Sequence, residues 1–281
     1  MSAEAAGWAG SLALGFSADA SGATILSRRA HRGPFVVQRP FFPEGREVCH
    51  VYLLHPPGGL VGGDELRLEL QVGAGARALV TTPAAGKAYR TRGPVARQRQ
   101  ALSVEAGAAL EWLPQETIIY DGADVEIATD VELAAGARFI GAETICFGLP
   151  ARGAPFQRGS CRQSFAIRRA GAPLLIERAR FDGGGAAQEA PWGLGGATVL
   201  SAIVSAPAPE AAVVERLQAE ARALPDGERA GATVLAGGDL LAVRHLGTHA
   251  ERARAFVHRT WSVLRAALFD RAAIAPRIWS T

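Results

Sequence analysis

The sequence predicts a mainly β protein, with a body of stacked β layers and helices near the C-terminus. Three observations support this fold class: strict alternation of apolar and polar residues, a short segment that recurs three times, and helical periodicity that appears only late in the chain. From residue 23 to residue 205 almost all patterns are those of strands.

The clearest strand pattern covers residues 64–72. Successive side chains of a strand point to opposite faces, so every second residue shares a face. One face carries Asp64, Leu66, Leu68, Leu70 and Val72, and the other carries Glu65, Arg67, Glu69 and Gln71. This pattern indicates a strand with one buried face.

A short Ala-Gly-Ala segment recurs between strand patterns. Its three copies align on Gly75, Gly107 and Gly136, which are 32 and 29 residues apart. A period of about 30 residues with strands and no helix predicts stacked β units. It argues against a doubly wound α/β enzyme, because no helix fits between these strands.

The C-terminal part adds two helices and a hairpin. Residues 210–224 are Ala-rich and bounded by Pro209 and Pro225, which predicts a helix. Residues 232–246 predict a β-hairpin around Gly237-Gly238. Residues 249–269 carry an apolar stripe that predicts a second helix.

We expect a single domain over residues 1–281, because no Gly/Ser linker divides the chain. Its expected parts are a loose N-terminal lead-in at 1–22, a β body at 23–205, and a helix, hairpin, helix and tail at 206–281. A chain of 281 residues with 48% hydrophobic and 20% charged residues excludes global disorder.

The sequence also predicts a cytoplasmic protein. No run approaches the ~20 apolar residues that span a bilayer, and the first ten residues include Glu4 but no basic residue. Cys49, Cys146 and Cys161 form no CxxC pair, so we expect free thiols in a reducing compartment.

Three acids share a face with apolar residues and therefore point inward: Asp64, Glu143 and Glu177. A buried unpaired carboxylate costs several kcal/mol, so each needs a partner, a shifted pKa, water or a cation. One interpretation is structural ion pairs with Arg178 or Arg180, and the other is an internal polar channel.

Other functional classes find little support. The six histidines form no metal-binding motif, and no nucleophile motif is present, so the sequence indicates neither a stable metal site nor an enzyme. The Gly-rich segment 55–64 precedes a strand, whereas a phosphate-binding loop precedes a helix. A net charge of +3 without an aromatic-interleaved basic stripe argues against nucleic acid.

Charges are segregated along the chain. Eight acids and no basic residue lie between Arg99 and Arg138, and five arginines and no acid lie between Glu143 and Glu177. Solvated faces explain such segregation, and opposed patches can also steer protein partners.

Seven sequence motifs follow one another along the chain, in a match that runs from about residue 23 to residue 281. They are QRPFFPE (38–44), VYLLHPPGGLVGGD (51–64), TTPAAGKAYR (81–90), LEWLPQE (110–116), YDGA (120–123), PLLIER (173–178) and PRIWST (276–281). Together they resemble the motifs of the UreD (UreH) family of urease accessory proteins. The matching positions that we single out are His55, Gly58, Gly59, Lys87, Tyr89, Glu116 and Asp121.

The resemblance implies a β-helix-like, solenoid-like body with a C-terminal β-hairpin and two helices. It also implies a non-catalytic chaperone that binds apo-urease and acts with UreF-type and GTP-hydrolysing UreG-type partners to insert nickel into urease. No tightly bound cofactor, nucleic acid or membrane is expected, and nickel would be in transit.

Within that interpretation the inward acids become candidates for a nickel passage. Scattered oxygen ligands can pass a divalent ion without trapping it. The expected passage residues are Asp64, Thr81, Glu143, Glu177 and Arg180, with Thr81 as a neutral oxygen donor and Arg180 as a charge balance. The expected partner interface includes Arg277, Ile278 and Trp279.

Two other classes remain open at this level. A polysaccharide lyase or hydrolase on a β-solenoid would need paired carboxylates in a surface cleft. A purely structural or adhesive solenoid would predict that no nickel enzyme depends on this chain.

Overall fold

The computed structural model describes residues 7–91 and 93–280. Within them the protein is 48% strand and 17% helix, with a β-solenoid of about four turns and three helices. The predicted fold class is therefore confirmed. No helix in these ranges is long and apolar enough to span a bilayer.

The elements follow in chain order. The strands are β1 (Ala9–Ala18), β2 (Thr24–Arg32), β3 (Val36–Val37), β4 (Val48–Leu54), β5 (Glu65–Val72), β6 (Arg77–Thr81), β7 (Gly86–Ala88), β8 (Ala96–Val104), β9 (Ala109–Leu113), β10 (Thr117–Ile119), β11 (Ala123–Leu133), β12 (Arg138–Phe147), β13 (Gly159–Arg169), β14 (Ala172–Asp182), β15 (Val199–Ala206), β16 (Arg229–Leu235) and β17 (Leu240–Gly247). The α-helices are α1 (Ala186–Glu189), α2 (Ala211–Arg222) and α3 (Ala250–Phe269), and 3₁₀ turns lie at Pro150–Arg152, Ala236–Gly238 and Arg277–Ser280.

The described strands form two sheets that face each other across the core. The seven-stranded sheet has the order β14-β13-β11-β8-β5-β1-β2. The ten-stranded sheet has the order β16-β17-β15-β12-β9-β6-β4-β3, and the short strands β7 and β10 pair beside it. The chain passes from one sheet to the other in each turn of the solenoid, so β5, β8, β11 and β13 are parallel neighbours.

The repeated Ala-Gly-Ala segments are the turns between the two sheets. Gly75, Gly107 and Gly136 have φ values of +72°, +69° and +73°. In each turn an N–H donates to the carbonyl three residues earlier, as Ala108 N does to Glu105 O at 3.1 Å. Glycine adopts this backbone without the steric cost that a Cβ adds, which explains the repeat at the level of turn geometry.

The expectation of a loose lead-in at residues 1–22 is wrong for the part that the structure describes. Residues 9–18 form β1, which pairs with β2 and β5 inside the seven-stranded sheet. Leu12, Leu14 and Phe16 alternate along it and are each at most 2% exposed. Residues 1–6 lie outside the described residues.

The main core lies between the sheets, and a second core lies under α3. In β5 the apolar residues that were predicted to face inward, Leu66, Leu68, Leu70 and Val72, are all buried. On the outer side of the ten-stranded sheet, Phe256, Trp261 and Leu264 of α3 pack on Ile140 and Val243. The two faces of the ten-stranded sheet are thus both covered.

The segregated charges largely neutralise each other across neighbouring strands. The acid-rich β11 pairs in register with the Arg-rich β13. Arg162 donates to Glu126 at 2.6 Å and Arg168 to Asp130 at 3.3 Å on the outer face. Cross-strand pairing therefore accounts for much of this charge pattern without a partner.

Candidate functional site

Glu143 carries a carboxyl group into the core between the sheets. It lies on β12 on the same side as Phe139 and Ile145, as its position in the sequence predicts. Thr129 Oγ1 is 2.5 Å from Glu143 Oε1, and Gln163 Nε2 donates to Oε2 at 2.6 Å. Because Thr129 and Gln163 belong to the opposite sheet, the carboxyl bridges the two sheets.

Burial raises the pKa of Glu143 above its ordinary value, since few waters can solvate the charged form. The hydrogen bonds from Thr129 and Gln163 oppose this shift, and the charge of nearby Glu177 adds to it. No arginine pairs with Glu143 among the described residues. Among the described residues, the hydrogen-bond partners of this carboxyl group are therefore neutral side chains.

This raised pKa predicts a pH-dependent stability. The folded state holds the Glu143 proton more tightly than the unfolded chain does, because the pKa of Glu143 is higher in the folded state. Protonated Glu143 therefore contributes its full stabilisation of the fold below the pKa of the unfolded state. This contribution is lost as pH rises through the pKa of the folded state. Glu143→Gln removes that dependence. We expect urea unfolding to show Glu143→Gln gaining stability relative to wild type as pH rises from about 4.5. A difference in the free energy of unfolding between the two proteins that stays constant with pH would contradict the raised pKa of Glu143.

Glu177 lies at the rim of the same interior, on β14, and pairs with an arginine. Arg244 Nε, on β17, donates to Glu177 Oε1 at 2.9 Å, and Arg244 Nη2 binds the same oxygen. The two side chains are 33% and 42% exposed. Glu177 therefore has an ion-pair partner, but this partner comes from the other sheet and is neither Arg178 nor Arg180.

Arg180 points to the outer face of β14. Its Nε donates to Asp182 Oδ1 at 2.8 Å, and both side chains are more than half exposed. It faces away from the interior because it has the opposite parity to Glu177 and Phe181. The structure does not bring Arg180 to the inward acids.

A cavity continues the polar interior towards the loops. Thr129 Oγ1 also contacts Gln100 Oε1 at 3.2 Å. Gln100 and Gln98 line a cavity of about 190 Å³ between the sheets, together with His55, Gly58, Gly59 and residues 82–87. Burial lowers the pKa of His55. Polar contacts thus run from Glu143 through Thr129 to Gln100 at this cavity.

Asp64 is buried, but its carboxylate is engaged by the backbone. Oδ1 accepts from Trp8 N at 2.8 Å and Oδ2 accepts from Val61 N at 2.9 Å. The carboxylate therefore joins the start of β1 to the loop that precedes β5. This satisfies its hydrogen-bonding needs without an ion.

The glycines of the same loop allow close packing on Tyr89. A Cβ at Gly59 would lie 2.4 Å from Cε2 of Tyr89, and Gly58 has a φ of +81°. Tyr89 in turn packs against Tyr120, with ring centroids 5.1 Å apart. Gly58, Gly59 and Tyr89, which match the family motif, therefore hold the loop in place.

Thr81, Glu116 and Trp279 meet under α3, on the opposite side of the ten-stranded sheet from Glu143. Thr81 Oγ1 donates to Leu113 O at 2.5 Å and accepts from Trp279 Nε1 at 2.9 Å. Arg254 Nη2 donates to Glu116 Oε1 at 2.5 Å. The structure thus separates Thr81 from Glu143 and Glu177, which lie between the sheets, and from Asp64 and Arg180, which lie elsewhere.

The remaining predicted residues lie at the surface or anchor loops. Asp121 accepts from Gln157 N and from the backbone and guanidinium of Arg158. Lys87 is in register with Ile118, on the face opposite to buried Ala88. Arg277 is exposed, and Ile278 is partly buried.

Sequence reasoning missed the groups that hold the inward acids. Thr129, Gln163 and Gln100 are polar residues at inward positions of otherwise apolar alternations, which is a signal that parity could have found. It also missed a buried network in which Arg265 of α3 binds Glu111 and Glu44. Those partners are distant in sequence.

No three His, Cys, Asp or Glu side chains in residues 7–91 and 93–280 converge to hold a metal ion. The three cysteines are buried, and burial raises the pKa of each to about 12. The interior therefore offers separated oxygen atoms in place of a chelating cluster.

Comparison with known proteins decides the family. A family model described as "UreD urease accessory protein" matches residues 9–280. The chain belongs to the UreD urease accessory protein family. A "Urease accessory protein UreD" of Azoarcus sp. (strain BH72) is 45% identical, covering 98% of this chain and 95% of that protein. UreD proteins of Janthinobacterium sp. (strain Marseille) and Trichormus variabilis are 43% and 42% identical, over 96% and 98% of this chain and 90% and 97% of those proteins. Their names describe them as urease accessory proteins.

Proposed function

We propose that this chain is a non-catalytic urease maturation factor that supports nickel insertion through an internal polar passage. It would bind apo-urease and act with UreF-type and GTP-hydrolysing UreG-type partners in the cytoplasm. Membership of the UreD family supports a role in urease maturation. The proposal of a passage depends mainly on the carboxyl group of Glu143, which lies between the sheets and has no cationic partner among residues 7–91 and 93–280.

The arrangement of donors suits transit better than storage. Glu143, Thr129 and Gln100 present oxygens in succession and are joined by contacts, and the charge of Glu177 acts on Glu143 from the rim. A retention site for nickel would combine three or four converging ligands. We therefore limit the proposed passage to the groups between the sheets and assign Asp64 and Arg180 to structural contacts.

Deletion of the gene in the organism that encodes this chain tests the function. We expect urease protein to accumulate with little activity and little nickel, and a plasmid copy of the gene to restore both. Normal urease activity and nickel content in the deletion strain would refute a role in maturation.

Glu177→Ala should lower urease activation while the accessory complex still assembles. Its partner Arg244 is 42% exposed, so water can solvate the unpaired guanidinium, and an exposed ion pair contributes only about 0–1 kcal/mol. The melting temperature should therefore change little. Activation assays, pull-downs and melting curves on one variant measure the three effects.

Asp182→Ala provides the matched control, since it removes an acid from the outer face of the same strand, where Asp182 pairs with Arg180. Normal activation by an assembled, stable Glu177→Ala complex would exclude Glu177 from the passage.

A further inference from the structure

Two arginines flank a small residue on the outer face of the ten-stranded sheet, beside the C-terminal end of α3. Arg77 begins β6 and Arg138 begins β12, and both are in register with Ala109 of β9, which lies between them. All three face outward, because the next residue of each strand packs in the core between the sheets. Neighbouring strands are about 4.8 Å apart, so the Cα atoms of the two arginines are separated by about 10 Å across a single methyl side chain.

The end of α3 orients the side chain of Arg138. Its Nη1 donates to Leu268 O at 2.9 Å, and its guanidinium lies over the ring of Phe269, 5.5 Å from the ring centroid. A carbonyl oxygen and an aromatic ring carry no net charge. These contacts therefore fix the position of the guanidinium but do not neutralise it.

The charges of the two arginines act on each other. Burial lowers the pKa of Arg138, and the charge of Arg77 adds to this shift. Neither arginine pairs with a carboxylate among residues 7–91 and 93–280. Like charges that are half-buried repel each other more strongly than in bulk water. This place on the sheet therefore favours a negatively charged ligand.

The acids near the two arginines already have partners. A pocket of about 10 Å³ is lined by both arginines and by Ala109, Glu111, Arg265 and Arg271. Glu111 accepts from Trp261 Nε1 at 2.6 Å and from Arg265 Nε at 3.0 Å, and Arg271 pairs with Glu47. The pocket is about the size of one water-sized probe, so one oxygen of a ligand fits inside and the rest of the ligand lies at the surface.

We propose that Arg77 and Arg138 form a binding site for a phosphate group, either inorganic phosphate or a phosphate monoester. Each guanidinium presents a planar fork of N–H donors that matches the oxygens of phosphate and carboxylate groups. A phosphate dianion balances both positive charges, whereas one carboxylate balances only one of them. The site does not depend on the proposed function in urease maturation.

Titration calorimetry of the full chain with inorganic phosphate tests the site. The buffer is kept above about pH 7, where phosphate groups are mainly dianionic, and chloride holds the ionic strength constant. We expect Arg77→Gln to weaken phosphate binding about tenfold or more, because it removes one charge-assisted contact. Arg77 is the better position to change, since Arg138 also contacts α3.

Arg29→Gln is the matched control, because it removes an exposed arginine from β2 of the other sheet and should leave phosphate binding unchanged. Should Arg77→Gln fail to fold, Arg77→Lys replaces it. Lysine keeps the charge but loses the fork of donors, so it should bind phosphate with an intermediate affinity.

Titration with acetate distinguishes phosphate from a carboxylate of a protein partner. Acetate that binds as tightly as phosphate, with both weakened by Arg77→Gln, would overturn the assignment to phosphate. The absence of phosphate binding, or equal phosphate affinity in wild type, Arg77→Gln and Arg29→Gln, would overturn the site itself. None of these measurements involves urease, so their failure is separate from a failure of the proposed function.

Discussion

Replacing Arg265 with methionine should lower the free energy of unfolding by about 3–5 kcal/mol, because it leaves buried carboxylates without their cation. Arg265 is 0% exposed. Its Nε donates to Glu111 at 3.0 Å, and its Nη2 donates to both oxygens of Glu44 at 2.7 and 2.6 Å. Urea unfolding at pH 7 measures the loss.

Two further variants isolate the cause. Arg259→Met changes an exposed arginine on the same helix and should be nearly neutral. Burial raises the pKa of Glu111, and the charge of Arg265 opposes this shift. Without Arg265 the carboxylates should therefore take up protons at acid pH. The loss in the free energy of unfolding caused by Arg265→Met should then become smaller. Adding Glu44→Gln and Glu111→Gln to Arg265→Met should recover part of the stability. If Arg265→Met behaves like Arg259→Met, the network does not stabilise α3.

Asp64→Ala should cost about 2–4 kcal/mol, since it leaves the N–H groups of Trp8 and Val61 without their acceptors. The loss should appear in urea unfolding and as faster hydrogen exchange at the start of β1. Asp64→Asn keeps one acceptor oxygen and should therefore give an intermediate loss of stability.

Asp19→Ala is the matched control for Asp64. Asp19 accepts backbone N–H groups from Ser21 and Ala23 at an exposed turn, where water can replace it, so we expect a clearly smaller loss of stability than for Asp64→Ala. An Asp64→Ala protein of full stability that fails to activate urease would restore Asp64 to the nickel passage.

Features set by local patterns could be predicted from the sequence. The turns at Gly75, Gly107 and Gly136 recur because each solenoid turn needs the same left-handed backbone. The predicted helices at 210–224 and 249–269 correspond to α2 and α3. β1 was missed because small residues separate Leu12, Leu14 and Phe16 and hide the alternation.

The inward direction of Glu143 and Glu177 followed from parity alone, but their partners did not. Arg244 is 67 residues from Glu177, and Arg265 is 154 residues from Glu111. No local sequence pattern indicates partners that are so far apart in the chain, because such contacts depend on how the sheets and α3 pack together. For the same reason no local pattern showed that Thr81 faces α3 and Trp279.

The most direct test of the nickel passage is the nickel content of urease purified from cells in which Glu143→Gln replaces the wild-type chain. Glutamine keeps the size and the polar groups that contact Thr129 and Gln163, but unlike the carboxyl group it cannot ionise to bind the ion. We expect an assembled accessory complex and about tenfold less nickel per urease, the factor for a loss of ~1.4 kcal/mol. Glu69→Gln, on the exposed outer face of β5, should give the wild-type content. Full nickel loading with Glu143→Gln would contradict passage of the ion between the sheets.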